Sequence, residues 1–354
     1  MADRFSRAPR IVAIGGGTGL STMLRGLKHV SPNITAIVSV GDNGGGSGVL
    51  RQELGMPPPG DVRNCLQALA NTEPAMEALL AYRFKEGTLK GQSFGNLFLA
   101  ALNDMSDSFD QAVTRMSEIL AITGRVLPVT NENVRLEATF ENGAKVIGES
   151  HIGAAQKEQG CRISRIRLLP EHAKALPEAL AAIAEADMII LAPGSLYTSI
   201  SPTLLVDGMV DAITKSDALK IYVCNVMTQP GETDGFGAYE HVKTLTEYAG
   251  KPFLDYVIVN SEEISDEQKA LYRAKGQEPI SPDIEKIEHM GIQVIPARLV
   301  SKSDMVRHDP QKLARALMSL AYRLRLFGKG FIFFDYLFMR HNMRKISKMP
   351  GKTE

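Results

Sequence analysis

Two kinds of apolar pattern alternate along the chain. Continuous apolar runs at 11–14, 34–40, 187–192, 220–226, 253–260 and 291–296 have the length and hydropathy of strands buried on both faces of a parallel sheet. Between them, apolar residues recur at spacings of three and four. Leu20, Met23, Leu24 and Leu27 follow the first run, and Leu66, Leu69 and Ala70 fall in a stretch from Val62. Similar helical stretches occupy 91–102, 176–186 and 309–326, the last opening with Asp309 as cap and Pro310 at the first helical position. This alternation predicts an α/β fold, Rossmann-like and doubly wound, with a mainly parallel sheet. From about residue 126 to 170 the period changes. Residues 134–140 alternate apolar and polar, Glu141, Asn142 and Gly143 signal a hairpin, and 144–149 and 163–169 supply partner strands. The reading is one large domain over 1–326 with a small antiparallel β insert, followed by an aromatic and basic tail at 327–354.

The chemistry gathers where the runs end. Gly15, Gly16, Gly17, Thr18 and Gly19 join the first strand to the first helix, so free backbone N–H groups and a positive dipole end meet at one point, which favours a phosphate. The spacing is neither the dinucleotide fingerprint nor a Walker loop. After the second run, Asp42 is placed either to accept from a ribose hydroxyl, to hold a cation, or simply to sit in a solvated turn. Asn43, Ser47 and Arg51 follow, Arg51 being either a phosphate fork or one half of a surface ion pair. Asp61 is expected to cap the next helix, with Arg63 and Asn64 in its first turn, where a cation calls for an anion nearby. Asn96 opens another helix, as ligand contact or backbone cap. Gly194, Ser195 and Thr198 put glycine and hydroxyls at a later strand end, for a second phosphate, a sugar or a turn. Asn225 and Gln229 offer amides suited to a base or sugar edge. Arg307 stands before the last helix, and His308 beside it is read as a capping histidine.

Composition narrows the partners. Lys plus Arg and Asp plus Glu both number 40, so no basic field points to nucleic acid. Cys65, Cys161 and Cys224 lie far apart without metal-ligand spacing and are expected to be reduced thiols. The first residues lack the apolar core of a signal peptide, and no run is long enough for a transmembrane segment, so a cytoplasmic location is expected. The tail, with Phe327, Phe331, Phe333 and Phe334 ahead of Arg340, Arg344, Lys345 and Lys348, is expected to pack on the domain or seal a homo-oligomer in preference to lying on a membrane.

Taken together, the motifs at 11–22, 35–51, 57–64, 91–97, 193–199, 224–229, 231–235 and 307–308 resemble the bacterial gluconeogenesis factor family, within the superfamily of 2-phospho-L-lactate transferase. The resemblance implies a Rossmann-like protein that binds a UDP-sugar, typically UDP-N-acetylglucosamine, through Thr18, Asn225 and Arg307. It further implies a role in routing carbon to cell-wall precursors and supporting cell shape, with a protein partner in precursor synthesis. The transferase branch has an acidic D-x-D stretch suited to Mg²⁺ where this chain has Asp61, Val62 and Arg63. The factor family commonly pairs two aspartates where Asp42 and Asn43 stand, and has His where Gln92 stands. These departures favour a regulator with no catalytic residue, no metal site and no required cofactor, the UDP-sugar being its ligand. The alternative is a Mg-dependent phosphotransferase in which Asp42 and Asp61 hold the ion. On the first reading Asn225→Ala and Arg307→Ala weaken ligand binding with stability nearly unchanged.

Overall fold

The apolar runs become strands, in the computed structural model, with few exceptions; the structure describes residues 8–301 and 306–324. In chain order they are β1 (Ile11–Gly15), β2 (Ile34–Val38), β3 (Arg125–Pro128), β4 (Arg135–Phe140) and β5 (Lys145–Ile147). Then come β6 (Ile163–Leu169), β7 (Met188–Leu191), β8 (Leu219–Val223), β9 (Tyr256–Asn260) and β10 (Gln293–Ala297). Seven of them form one sheet in the order β10-β9-β8-β7-β1-β2-β3, with every pairing parallel. The chain winds outward from β1 to β3, returns to β7 beside β1, and winds outward again to β10. That reversal leaves a crevice beyond the carboxyl ends of β1 and β7, because the connections on its two sides leave in opposite directions. All five residues of β1 are buried, as a strand covered on both faces requires. The Gly17–Leu27 helix buries Leu20, Met23, Leu24 and Leu27 completely, the face that their spacing predicts.

The antiparallel insert is a three-stranded sheet, β5-β4-β6. Its hairpin turns at Gly143, whose φ of +84° suits glycine and whose N–H donates to the Phe140 carbonyl at 2.9 Å. The insert begins later than the hydropathy suggests. Val126 and Leu127 belong to β3, which pairs in parallel with β2 at the edge of the main sheet. A strand of four residues is too short to declare a period.

Two helix starts bear on the site. The second expected cap fails: the helix begins at Gly60, with Pro59 in the cap position, and Asp61 lies in its first turn. The last helix, Pro310–Arg323, starts as expected, with the Asp309 carboxylate accepting from Gln311 and Lys312 N–H at 2.9 and 2.8 Å. It packs on the first helix at Gly26, where an added Cβ would lie 2.0 Å from the Pro310 carbonyl oxygen. Only glycine permits that approach, and it carries residues 306–308 back over the end of β8. Among the described residues no helix is long and apolar enough to cross a membrane. The tail at 327–354 lies outside the described residues.

Candidate functional site

A cleft of about 370 Å³ opens beyond β1, β7 and β8. One wall is the glycine turn, and each glycine there answers to a different constraint. Gly17 has a φ of +64°, a backbone conformation that side chains disfavour. An added Cβ at Gly16 would lie 2.6 Å from Asp61 Oδ2, and one at Gly19 would lie 1.9 Å from the Pro193 carbonyl oxygen. Gly19 thus lets the helix touch the loop after β7, closing the bottom of the crevice. Exposed Thr18 lines the cleft with Gly17 and Gly19, at the N-terminus of an eleven-residue helix with no acidic residue in its first turn. First-turn N–H groups have no partner within their own helix, and of these the Gly17 N–H is taken by the Asp61 carboxylate behind the turn.

The facing wall comes from β7 and β8. Asn225 spends its amide on one peptide neighbour: Oδ1 accepts from Gly194 N–H at 2.8 Å, and Nδ2 donates to the Gly194 carbonyl at 2.7 Å. It therefore fixes the loop that presents Gly194 and Ser195 to the cleft. The Ser195 hydroxyl, which accepts from Thr198 N–H at 3.0 Å, donates to the buried carboxylate of Glu232. Tyr197 N–H also donates to that carboxylate, at 2.9 Å. Burial pushes Glu232 up to about 7, against the lowering effect of those donors. Thr198 stands one layer behind, its hydroxyl 2.5 Å from Ser195 Oγ. Burial and the nearby Asp42 raise Glu149, which is hydrogen-bonded to Thr198.

The open end of the cleft holds exposed Gln229 and exposed Arg307, with Val226, Met227 and Val306 as apolar lining. Gln277 joins them, anchored through Nε2 to the Thr228 carbonyl at 3.1 Å. The Arg307 guanidinium has no protein partner among the described residues. His308 is not a helix cap. It is buried, its Nε2 donates to the Cys224 carbonyl at 3.2 Å, and burial takes its pKa down to about 4, so the ring is a neutral strut.

The structure thus brings the glycine turn, Thr18, Gly194, Ser195, Asn225, Gln229 and Arg307 to one cleft. The remaining candidates stand elsewhere. Asp61 lies behind the turn and accepts from Gly17 N–H; burial and the Asp42 carboxylate push it up to about 7. Asp42 accepts from Gly44 N–H at 2.8 Å. Asn43 Oδ1 accepts from Ser150 N–H at 2.8 Å, pinning the insert's helix. Ser47, Asn96 and Arg63 form a chain: Asn96 donates to Ser47 at 3.4 Å and accepts from Arg63 at 3.2 Å, and Arg63 reaches Gln67 at 3.3 Å. The anion that Arg63 appeared to require is supplied by neighbouring amide oxygens and the charge of Asp61. Arg51 is neither a surface ion pair nor a contact in this cleft: it is buried and donates to the Asp42 and Val134 carbonyls. Asn64 is half-buried within its helix and does not line the cleft. Sequence reasoning missed Thr22, Ser199, Gln277, Val306 and, behind the wall, Glu232. Of these Thr22, Ser199 and Glu232 lay in stretches already singled out, 11–22, 193–199 and 231–235, and nothing in its spacing assigned Glu232 to Ser195.

Comparison with known proteins bears on the family and the fold. The 2-phospho-L-lactate transferase CofD family matches residues 11–300. A homologue from Thermoanaerobacterium thermosulfurigenes is 56% identical over 317 residues, covering 89% of this chain and 98% of its own length. The gluconeogenesis factor of Bacillus subtilis is 50% identical over 318 residues, covering 89% of this chain and 99% of its own. A crystal structure of a UPF0052-family protein from Bacillus halodurans superposes with a TM-score of 0.84 at 45% identity, covering 87% of this chain and 99% of that one. With the whole parallel sheet inside the matched region and relatives aligned over nearly their full length, the chain belongs to the 2-phospho-L-lactate transferase CofD family.

Proposed function

We propose that the cleft binds a UDP-sugar, UDP-N-acetylglucosamine foremost, and that the protein is a gluconeogenesis factor working as a ligand-dependent regulator. The observation that carries this reading is the convergence on one cleft of a helix N-terminus, whose Gly17 N–H alone is taken by Asp61, and of Arg307, whose guanidinium has no partner among the described residues, which suits a diphosphate. Gln229 and Gln277 supply donor and acceptor edges for the nucleoside or sugar, and Val226, Met227 and Val306 an apolar face. Regulation is favoured over catalysis because, among the described residues that line the cleft, His308 is the one titratable group besides Arg307, and it is held neutral. On this reading the bound sugar reports carbon supply to a protein partner in cell-wall precursor synthesis, in the cytoplasm and from a homo-oligomer, so as to support cell shape.

One observation favours a second reading, Mg-dependent phosphotransfer. The Asp42 carboxylate raises the energy of the buried Asp61 charge, and a divalent ion held by both would relieve it. The fit is incomplete: among the described residues no cluster of three or more acidic, His or Cys side chains is placed to hold a metal. One experiment separates the readings. Calorimetric titration with a panel of nucleotide sugars, in Mg²⁺ and in excess chelator, should give UDP-sugar affinities within about tenfold of each other, roughly 1.4 kcal/mol. Loss of binding in chelator would support the second reading. No UDP-sugar binding in either buffer would refute the first.

A further inference from the structure

A second cleft, of about 490 Å³, lies between the Gly45–Leu54 helix, β4 and the start of the Glu149–Gln159 helix. Its lining includes Arg51, Arg135, His151, Asn43 and Asn133, and no carboxylate residue. Buried guanidinium groups are ordinarily paired with a carboxylate. Arg51 is only 6% exposed, yet among the described residues it has no salt bridge, and it donates to the carbonyls of Asp42 and Val134. Burial and another guanidinium of the cleft wall, Arg135, both lower the Arg51 pKa. Arg135 is exposed and likewise has no carboxylate partner among the described residues. The Asp42 carboxylate, the one acidic group acting on Arg51, is bonded to Gly44 N–H.

We propose that this cleft is a second anion site, built for a phosphate monoester. Two guanidinium forks match tetrahedral phosphate oxygens, and they come from different elements, a helix and a strand, so they approach the ligand from two sides. Arg51 has donors left over after serving two carbonyls, since a guanidinium carries five. His151 donates through Nδ1 to the Ile147 carbonyl at 3.2 Å, which leaves Nε2 for the ligand. The last turn of the Gly45–Leu54 helix already favours a cation at Arg51, which explains the residue's place but not the second, adjacent guanidinium.

The test uses the full chain and glycerol 3-phosphate as probe, followed by calorimetry, with malonate as a planar dianion for comparison. Arg135→Gln is the primary variant because an exposed side chain can be changed without disturbing the fold, whereas Arg51 props two carbonyls. Arg307→Ala serves as control for phosphate entering the first cleft. Arg135→Gln should bind glycerol 3-phosphate at least about tenfold more weakly, with Arg307→Ala within about twofold of the unaltered protein. Unchanged affinity in Arg135→Gln, or loss confined to Arg307→Ala, would overturn the site. Malonate binding as tightly as the phosphate, with the same dependence on Arg135, would overturn the phosphate assignment. UDP-sugar affinity is expected to be unaltered in Arg135→Gln, so failure here and failure of the first cleft are told apart.

Discussion

Because its amide clamps Gly194, Asn225→Ala should act on stability as well as on ligand binding, against the nearly unchanged stability expected from sequence, and the two effects can be apportioned. The side chain makes two hydrogen bonds to a single peptide neighbour, at 2.8 Å from Gly194 N–H and 2.7 Å to the Gly194 carbonyl. A typical intramolecular hydrogen bond contributes about 0.5–1.5 kcal/mol net, so losing both removes roughly 1–3 kcal/mol. Asn225 is half-buried beside an open cleft, so water can replace part of the loss and the lower half of that range is expected. The domain is longer than the 150–250 residues for which about 2–4 °C per kcal/mol holds, so the melting temperature should fall by no more than a few degrees. The freed loop carries Gly194 and Ser195, so UDP-sugar affinity should drop by about tenfold or more. Scanning calorimetry on the empty protein and titration with the ligand measure the two effects separately. A melting temperature unchanged to within about 1 °C would refute the clamp. A clear destabilisation with undiminished affinity would refute the placement of the ligand against this loop.

Arg307→Ala should do the opposite, lowering UDP-sugar affinity by about 1.5–3 kcal/mol as a charged hydrogen bond is lost, while denaturant unfolding stays unchanged because the side chain is exposed. Gly26→Ala lies outside the cleft, yet its Cβ would meet the Pro310 carbonyl at 2.0 Å and displace the last helix. Overpacking there should destabilise by about 1–3 kcal/mol, and titration should show weaker binding because Arg307 moves with that helix. Glu232 should make stability depend on pH. Its folded pKa of about 7 stands above the 4.5 of a free glutamate, so its contribution is complete below the lower value and is lost as pH rises through the upper one. Urea unfolding between about pH 5 and pH 8 should show the decline, up to about 3 kcal/mol of it from Glu232, and Glu232→Gln should lessen it, the raised Asp61 and Glu149 keeping a share; an equal slope in both proteins would contradict a raised pKa.

The residues themselves declared much of this, and the exceptions share a cause. The buried strands, the glycine turn and the Asp309-Pro310 start depend on local rules, and local rules are readable in one dimension. The meeting of Asn225 with Arg307 needed the strand order as well, and the rule about carboxyl ends supplied it. What the chain could not declare was how each polar side chain spends its donors. Arg51 and Arg307 are the same residue type near glycine-rich motifs, yet one is walled in and the other open. A hint existed: Ser47, Leu50 and Arg51 fall at helical spacing on one buried stripe, which places Arg51 inward. Glu232 and Gln277 sit in connections without any period, so only tertiary proximity reveals them. The four residues of β3 were lost to the same lack of period.

The seat of Pro310 on Gly26 also has a consequence for the order in which the protein is made. The glycine turn, the loop after β7 and the end of β8 all leave the ribosome before residues 306–310 do. A nascent chain can therefore build most of the sheet and still lack the wall that carries Arg307. Ligand stabilises only a form that can bind it, so on the function proposed above a nucleotide sugar would not assist the earlier stages of folding on the ribosome. Its supply would act on the finished protein, and stalled or shortened chains that end before this wall would stay blind to it.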